Sequence, residues 1–160
     1  MNRVSQPRLL SEVFFKVYGR AIQAERMDDR VMLQKAVFLM RERGISCGDY
    51  EFVWDHYGPF SAELSDDIKM TPADESSSVK FNADAERVME NLKEVFARRT
   101  AYSVRCWAEA VASLLYLRRY MYPSYTDEEI IQVLEDKKDH LRNHSENRKA
   151  MDALKEILAA

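Results

Sequence analysis

Glycine and proline are scarce, with four of each in 160 residues. Both interrupt regular backbone, so their scarcity leaves room for long helices. Cysteine is scarcer still. Cys47 and Cys106 lie far apart with no CxxC spacing, which argues against a disulfide framework or a cysteine zinc cage and suits free thiols in a reducing cytoplasm. No apolar run approaches the length of a membrane span, and the opening MNRVSQPRLL has no hydrophobic signal region. A GxGxxG fingerprint and a P-loop are both missing. Their absence speaks against cofactor enzymes built on short motifs, though not against enzymes with scattered residues. No cofactor is expected.

What is present suits one soluble domain over residues 1–160. The chain is 46% hydrophobic and 32% charged, and its length can bury a substantial core. A net charge of -3 argues against a general nucleic-acid coat. The charge is uneven: residues 1–50 hold nine Lys/Arg against six Asp/Glu, and residues 51–78 hold one against seven. A basic amino-terminal region beside an acidic segment is a candidate partner surface.

Apolar periodicity predicts six or seven helices. The first runs from about Pro7 to Glu25. The second, capped by Asp28 or Asp29 and ended by Gly44, is apolar around most of its circumference from Val31 to Met40, which marks a central helix. Gln34 and Lys35 are its only polar interruption. Tyr50 to Tyr57 reads as one short β element before a rigid Tyr57-Gly58-Pro59 turn. Ser61 then caps a third helix carrying Asp66 and Asp67. The polar stretch 71–82 reads as a loop or short hairpin. Further helices are expected at about Asp84–Arg99, Tyr102–Met121, from Thr126 with a capping box to Glu129, and at Ser145–Leu158. The fold class is mainly α.

The candidates for chemistry are few. A lone lysine on an apolar helix either snorkels or pairs with a carboxylate, and Asp66 or Asp67 is the expected partner of Lys35. His140 and His144 fall four apart on one face of a continuous helix, but no third zinc ligand completes them, so no metal is expected. Ser61 has no His–Asp relay. Trp54 and Tyr57 are expected to pack on the second helix or to present an aromatic recognition surface.

LQKAVFLM at 33–40 followed by YEFVWDHYGPFSAEL at 50–64 resembles the bacterial YwgA-like family and, more distantly, the Panacea-type antitoxin domain related to SocA. The matching positions are Leu33, Gln34, Lys35, Leu39, Phe52, Tyr57, Gly58, Pro59, Leu64 and Asp67. EEIIQVLEDKKDHL at 128–141 looks like that family's closing helix. The resemblance implies a small, mostly helical bacterial protein, an antitoxin-like module or regulatory adaptor that binds another protein directly, and it identifies no catalytic site. Lys35, Trp54, Tyr57, Gly58, Pro59, Phe60 and Asp67 are its expected binding residues.

Two alternatives stand beside it. A helix-turn-helix or winged-helix DNA binder would place Arg20, Arg26 and Arg30 on phosphates, but its third helix is acidic. A small enzyme would rest on Lys35, Tyr57 and Asp67.

Overall fold

The computed structural model describes residues 6–72 and 79–160. The stretch 71–82, expected to form a loop or hairpin, lies largely outside the described residues. Helix α1 spans Gln6–Tyr18, ending earlier than its periodicity suggests. Gly19 takes φ +78 and donates its N–H to the Phe15 carbonyl at 2.8 Å, closing the helix in the left-handed conformation that glycine tolerates.

Helix α2 spans Met27–Glu42 and is buried without a break from Val31 to Met40. Neither Asp28 nor Asp29 caps it. Arg26 occupies the N-cap position without a side-chain hydrogen bond, and Asp29 turns instead to Arg20 and the Gln23 N–H. Gly44, at φ +85, follows its end as expected.

Strands β1 (Val53–Asp55) and β2 (Gly58–Phe60) form an antiparallel hairpin in the register Val53↔Phe60, Trp54↔Pro59, Asp55↔Gly58. The expected single β element is thus half of a pair. The reversal falls at His56 and Tyr57, while Gly58 and Pro59 belong to the second strand. Ser61 caps helix α3 (Ala62–Lys69) by accepting from the Leu64 N–H, a contact typically worth about 1 kcal/mol.

Helix α4 spans Ala83–Phe96 and α5 spans Val104–Tyr116, with the chain continuing through one π-helical turn at Leu117–Met121. Helix α6 (Asp127–Lys137) opens on the Thr126–Glu129 capping box. A 3-10 turn at Asp139–Leu141 leads into α7 (His144–Ala159). Two apolar helices form the centre: α2, and α5, which is buried continuously from Trp107 to Leu115. Full burial of a leucine or phenylalanine contributes roughly 1.5–3 kcal/mol, and Leu33, Phe38, Leu39, Leu114 and Leu115 are all buried between these helices and their neighbours. Polar ties fix the surrounding helices. The Trp107 indole donates to the Val95 carbonyl at 3.0 Å, and the Tyr18 hydroxyl donates to the Met32 carbonyl at 2.7 Å. The result is a single, mainly helical domain with one small hairpin laid across α2 and α5.

Candidate functional site

The polar interruption in α2 serves the hairpin. Gln34 Nε2 donates to the Ser61 carbonyl at 2.8 Å, and its Oε1 accepts from the Ser61 N–H at 3.0 Å. Lys35 Nζ donates to the Pro59 carbonyl at 2.8 Å. Nearly two turns further along, Arg41 donates to the Tyr50 carbonyl at 3.0 Å. From the opposite side Lys138 donates to the Asp55 carbonyl at 2.6 Å and to the His56 carbonyl. Four side chains therefore hydrogen-bond to the main chain of residues 50–61. Such bonds remove a desolvation cost of about 1–3 kcal/mol for each buried polar group.

This arrangement corrects the partner expected for Lys35. Among the described residues its ammonium makes no ion pair with Asp66 or Asp67. Asp66 is exposed, and Asp67 accepts from the Tyr50 hydroxyl at 2.7 Å. Asp67 lines a separate cleft with Gln6 and Tyr50 and so does not join Lys35 and Tyr57.

The charge near Lys35 comes from α5. Glu109 has 0% exposure and, with Asp55, favours the charged amine. Burial is the larger influence and, helped by the nearby Lys138, pushes the amine down to about 7. Glu109 is held in turn by His140, whose Nε2 lies 2.9 and 2.7 Å from its two carboxylate oxygens. With Glu109 ionised, the pairing calls for the His140 tautomer that carries its proton on Nε2.

The hairpin seats tightly. Gly58 has φ +90, and a Cβ placed there would lie 2.2 Å from Ser113 Oγ. No side chain fits between β2 and α5. Its tip is aromatic and cationic. Trp54 packs on Tyr116 of α5 with ring centroids 5.8 Å apart, and the Lys138 ammonium lies 4.8 Å from its ring. The expected packing of Trp54 on α2 is therefore corrected to α5; Phe52 is the aromatic that meets α2, at Phe38. Tyr57 sits under the Arg105 guanidinium at 5.1 Å and edge-on to His140 at 5.9 Å, with its hydroxyl 3.6 Å from Met27 Sδ.

A cleft of about 240 Å³ opens beside Tyr57, with Met27, Val31, Lys35 and Phe60 among its walls. Clefts for small molecules more often enclose roughly 300–1,000 Å³, so this one is sized for a single large side chain. Around the hairpin, Val53 and Met27 expose 58% and 43% of their surface.

Of the seven residues expected to bind, the structure gathers Lys35, Tyr57 and Phe60 at the cleft. Trp54 lies on the α5 side, Gly58 and Pro59 form the buried back of the hairpin, and Asp67 is elsewhere. Glu109 and Lys138 were not anticipated at the site, and His140 was weighed only as a metal ligand beside His144. Lys138 and His140 stand in KKDHLRNH, which reads as a solvated helix end. Glu109 carried a usable signal: it is a lone acid in the apolar run Trp107–Leu115, mirroring the lone Lys35 in the other central helix. His140 and His144 do not converge. His140 sits in the 3-10 turn and pairs with Glu109, whereas His144 opens α7 and pairs with Glu135 at 2.8 Å and Glu128 at 3.4 Å. Among the described residues no group of three or more His, Cys, Asp or Glu is placed to hold a metal ion, and no helix is long and apolar enough to cross a membrane. No family model, curated protein or solved structure matches the chain.

Proposed function

We propose that this chain is a non-enzymatic protein-binding module, antitoxin-like or regulatory, whose recognition element is the hairpin Val53–Phe60 and the small cleft beside Tyr57. One observation carries the reading. The lysines buried around the hairpin are spent on its backbone, with Lys35 on Pro59 and Lys138 on Asp55 and His56. The amine of Lys35, the strongest candidate for chemistry, is 1% exposed and already bonded. A loop fixed by its main chain meets a partner with little ordering cost, because its conformational entropy is already lost. The partner inserts one aromatic or large aliphatic side chain beside Tyr57 and Phe60, as anchor residues do at interfaces. The family resemblance of residues 33–64 supports the same class. DNA recognition through α3 is disfavoured by its exposed Glu63 and Asp66, which repel phosphates.

The test is affinity capture by tagged protein from the native bacterium, with nuclease treatment, read by mass spectrometry beside the Tyr57→Ala/Phe60→Ala variant. A stoichiometric protein retained by the wild type and lost by the folded variant is the expected result. Equal retention by both would remove the hairpin from the interface, and a partner lost on nuclease digestion would move the reading to nucleic acid.

A further inference from the structure

A second cleft, of about 670 Å³, lies among the end of α1, the start of α2, the end of α4 and the start of α5. Six cationic side chains line it against two acids, Asp28 and Asp29. Both acids are spent. Asp29 is buried and gripped by Arg20 through two bonds of 2.8 and 2.7 Å. Asp28 pairs with Arg105 at 3.0 Å. Arg98 is occupied by Glu94 and Glu156 at 2.9 and 2.7 Å. What remains is Arg26, Lys93 and Arg99, all exposed. Their side chains make no hydrogen bond or ion pair with any described residue. The chain as a whole is negative, so this surplus belongs to the place rather than to the composition.

We propose that this cleft binds a phosphate-bearing small molecule of nucleotide size, with Arg26, Lys93 and Arg99 meeting its phosphates. Three cations exceed the need of a single carboxylate, and guanidinium forks match phosphate oxygens two at a time. The cleft volume falls in the usual range for small ligands. Val17, Met32 and Phe96 give it an apolar floor beside the ring of Tyr102, which suits a flat base. A concave site between four helix ends accepts a compact ligand and shuts out the convex backbone of a duplex. No glycine-rich loop is involved, and side chains rather than main-chain amides receive the phosphates.

Calorimetric titration of the full chain at low ionic strength, with ATP, inorganic pyrophosphate and a short DNA duplex as separate probes, decides the matter. ATP and pyrophosphate bind saturably, ATP more tightly. Arg26→Ala/Arg99→Ala weakens both by about tenfold or more, the equivalent of a lost charge-assisted bond, and Lys93→Met weakens both in the same direction. The Tyr57→Ala/Phe60→Ala variant binds ATP as the wild type does, which separates this site from the hairpin. Lack of saturation with either small probe, affinities untouched by the arginine substitutions, or binding of the duplex without ATP would each overturn the proposal.

Discussion

On one side of the amino-terminal half of α2, beneath the hairpin, the ammonium of Lys35 is buried and ends on a carbonyl. On the other side the guanidinium of Arg26 is exposed and meets no described side chain. The same kind of charge thus has two fates a few residues apart. An unpaired cation inside the core would cost several kcal/mol, so Lys35 must be satisfied by the fold and reports on architecture. An unpaired cation at the surface costs almost nothing, so the fold does not dictate the placement of Arg26 as it does that of Lys35.

The comparison can be broken most severely at Gly58. Gly58→Ala combines a left-handed backbone with a clash against Ser113 Oγ, and a loss of about 3 kcal/mol in denaturant unfolding is expected. Ser113 Oγ is buried with no partner among the described residues. Ser113→Ala should therefore be neutral or slightly stabilising on its own. In the double variant it should restore the part lost to the clash and leave the part lost to the backbone. Full additivity would mean that the hairpin does not seat on α5 as described.

Lys35→Met comes next. It strands the Pro59 carbonyl, with an expected loss of about 2 kcal/mol. The pH dependence sharpens it. The amine loses its proton near 7 in the fold, against 10.5 ordinarily. Between those values the unfolded chain binds a proton that the folded chain does not, so this residue makes stability rise with pH across that window. The neutral amine still donates to Pro59. Melting curves of wild type and Lys35→Met should differ in slope over that range, and parallel slopes would show that Lys35 stays charged.

A smaller effect is expected at Lys138→Met, about 1 kcal/mol, because this side chain anchors only the Asp55–His56 end of the hairpin. Its clearer signature is faster hydrogen exchange at amides 53–60, with α2 unaffected. The smallest effect belongs to the cationic cleft. Arg26→Ala/Arg99→Ala should leave unfolding free energy within about 0.5 kcal/mol of wild type, since neither side chain contributes to the fold.

The helical frame was legible in the sequence wherever the signal was local. Ser61 caps α3, Thr126 and Glu129 form a capping box, and Gly44 closes α2. The apolar runs 31–40 and 107–115 proclaim the two central helices. The interruption Gln34-Lys35 was visible too, but its purpose was not: the partners are carbonyls 24 and 27 positions away, and a carbonyl leaves no trace in residue identity. Asp29 misled for a related reason. A helix-start aspartate is a natural cap, yet the arginine just past Gly19 claims it first. Lys138, and the partner of His140, were hidden because a polar stretch looks the same whether solvent or the protein interior receives it.

The main-chain grip on the hairpin has an evolutionary side. Gln34, Lys35, Arg41 and Lys138 hydrogen-bond only to the backbone of residues 50–61, so those bonds are indifferent to the side chains that point to solvent there. Val53, Asp55 and His56, all exposed, can be exchanged without renegotiating the support beneath them. Gly58 must stay, as must the inward-packed Phe52 and Trp54. On the proposed reading, point mutation at these exposed positions would change the choice of partner while the frame that presents the hairpin is inherited intact.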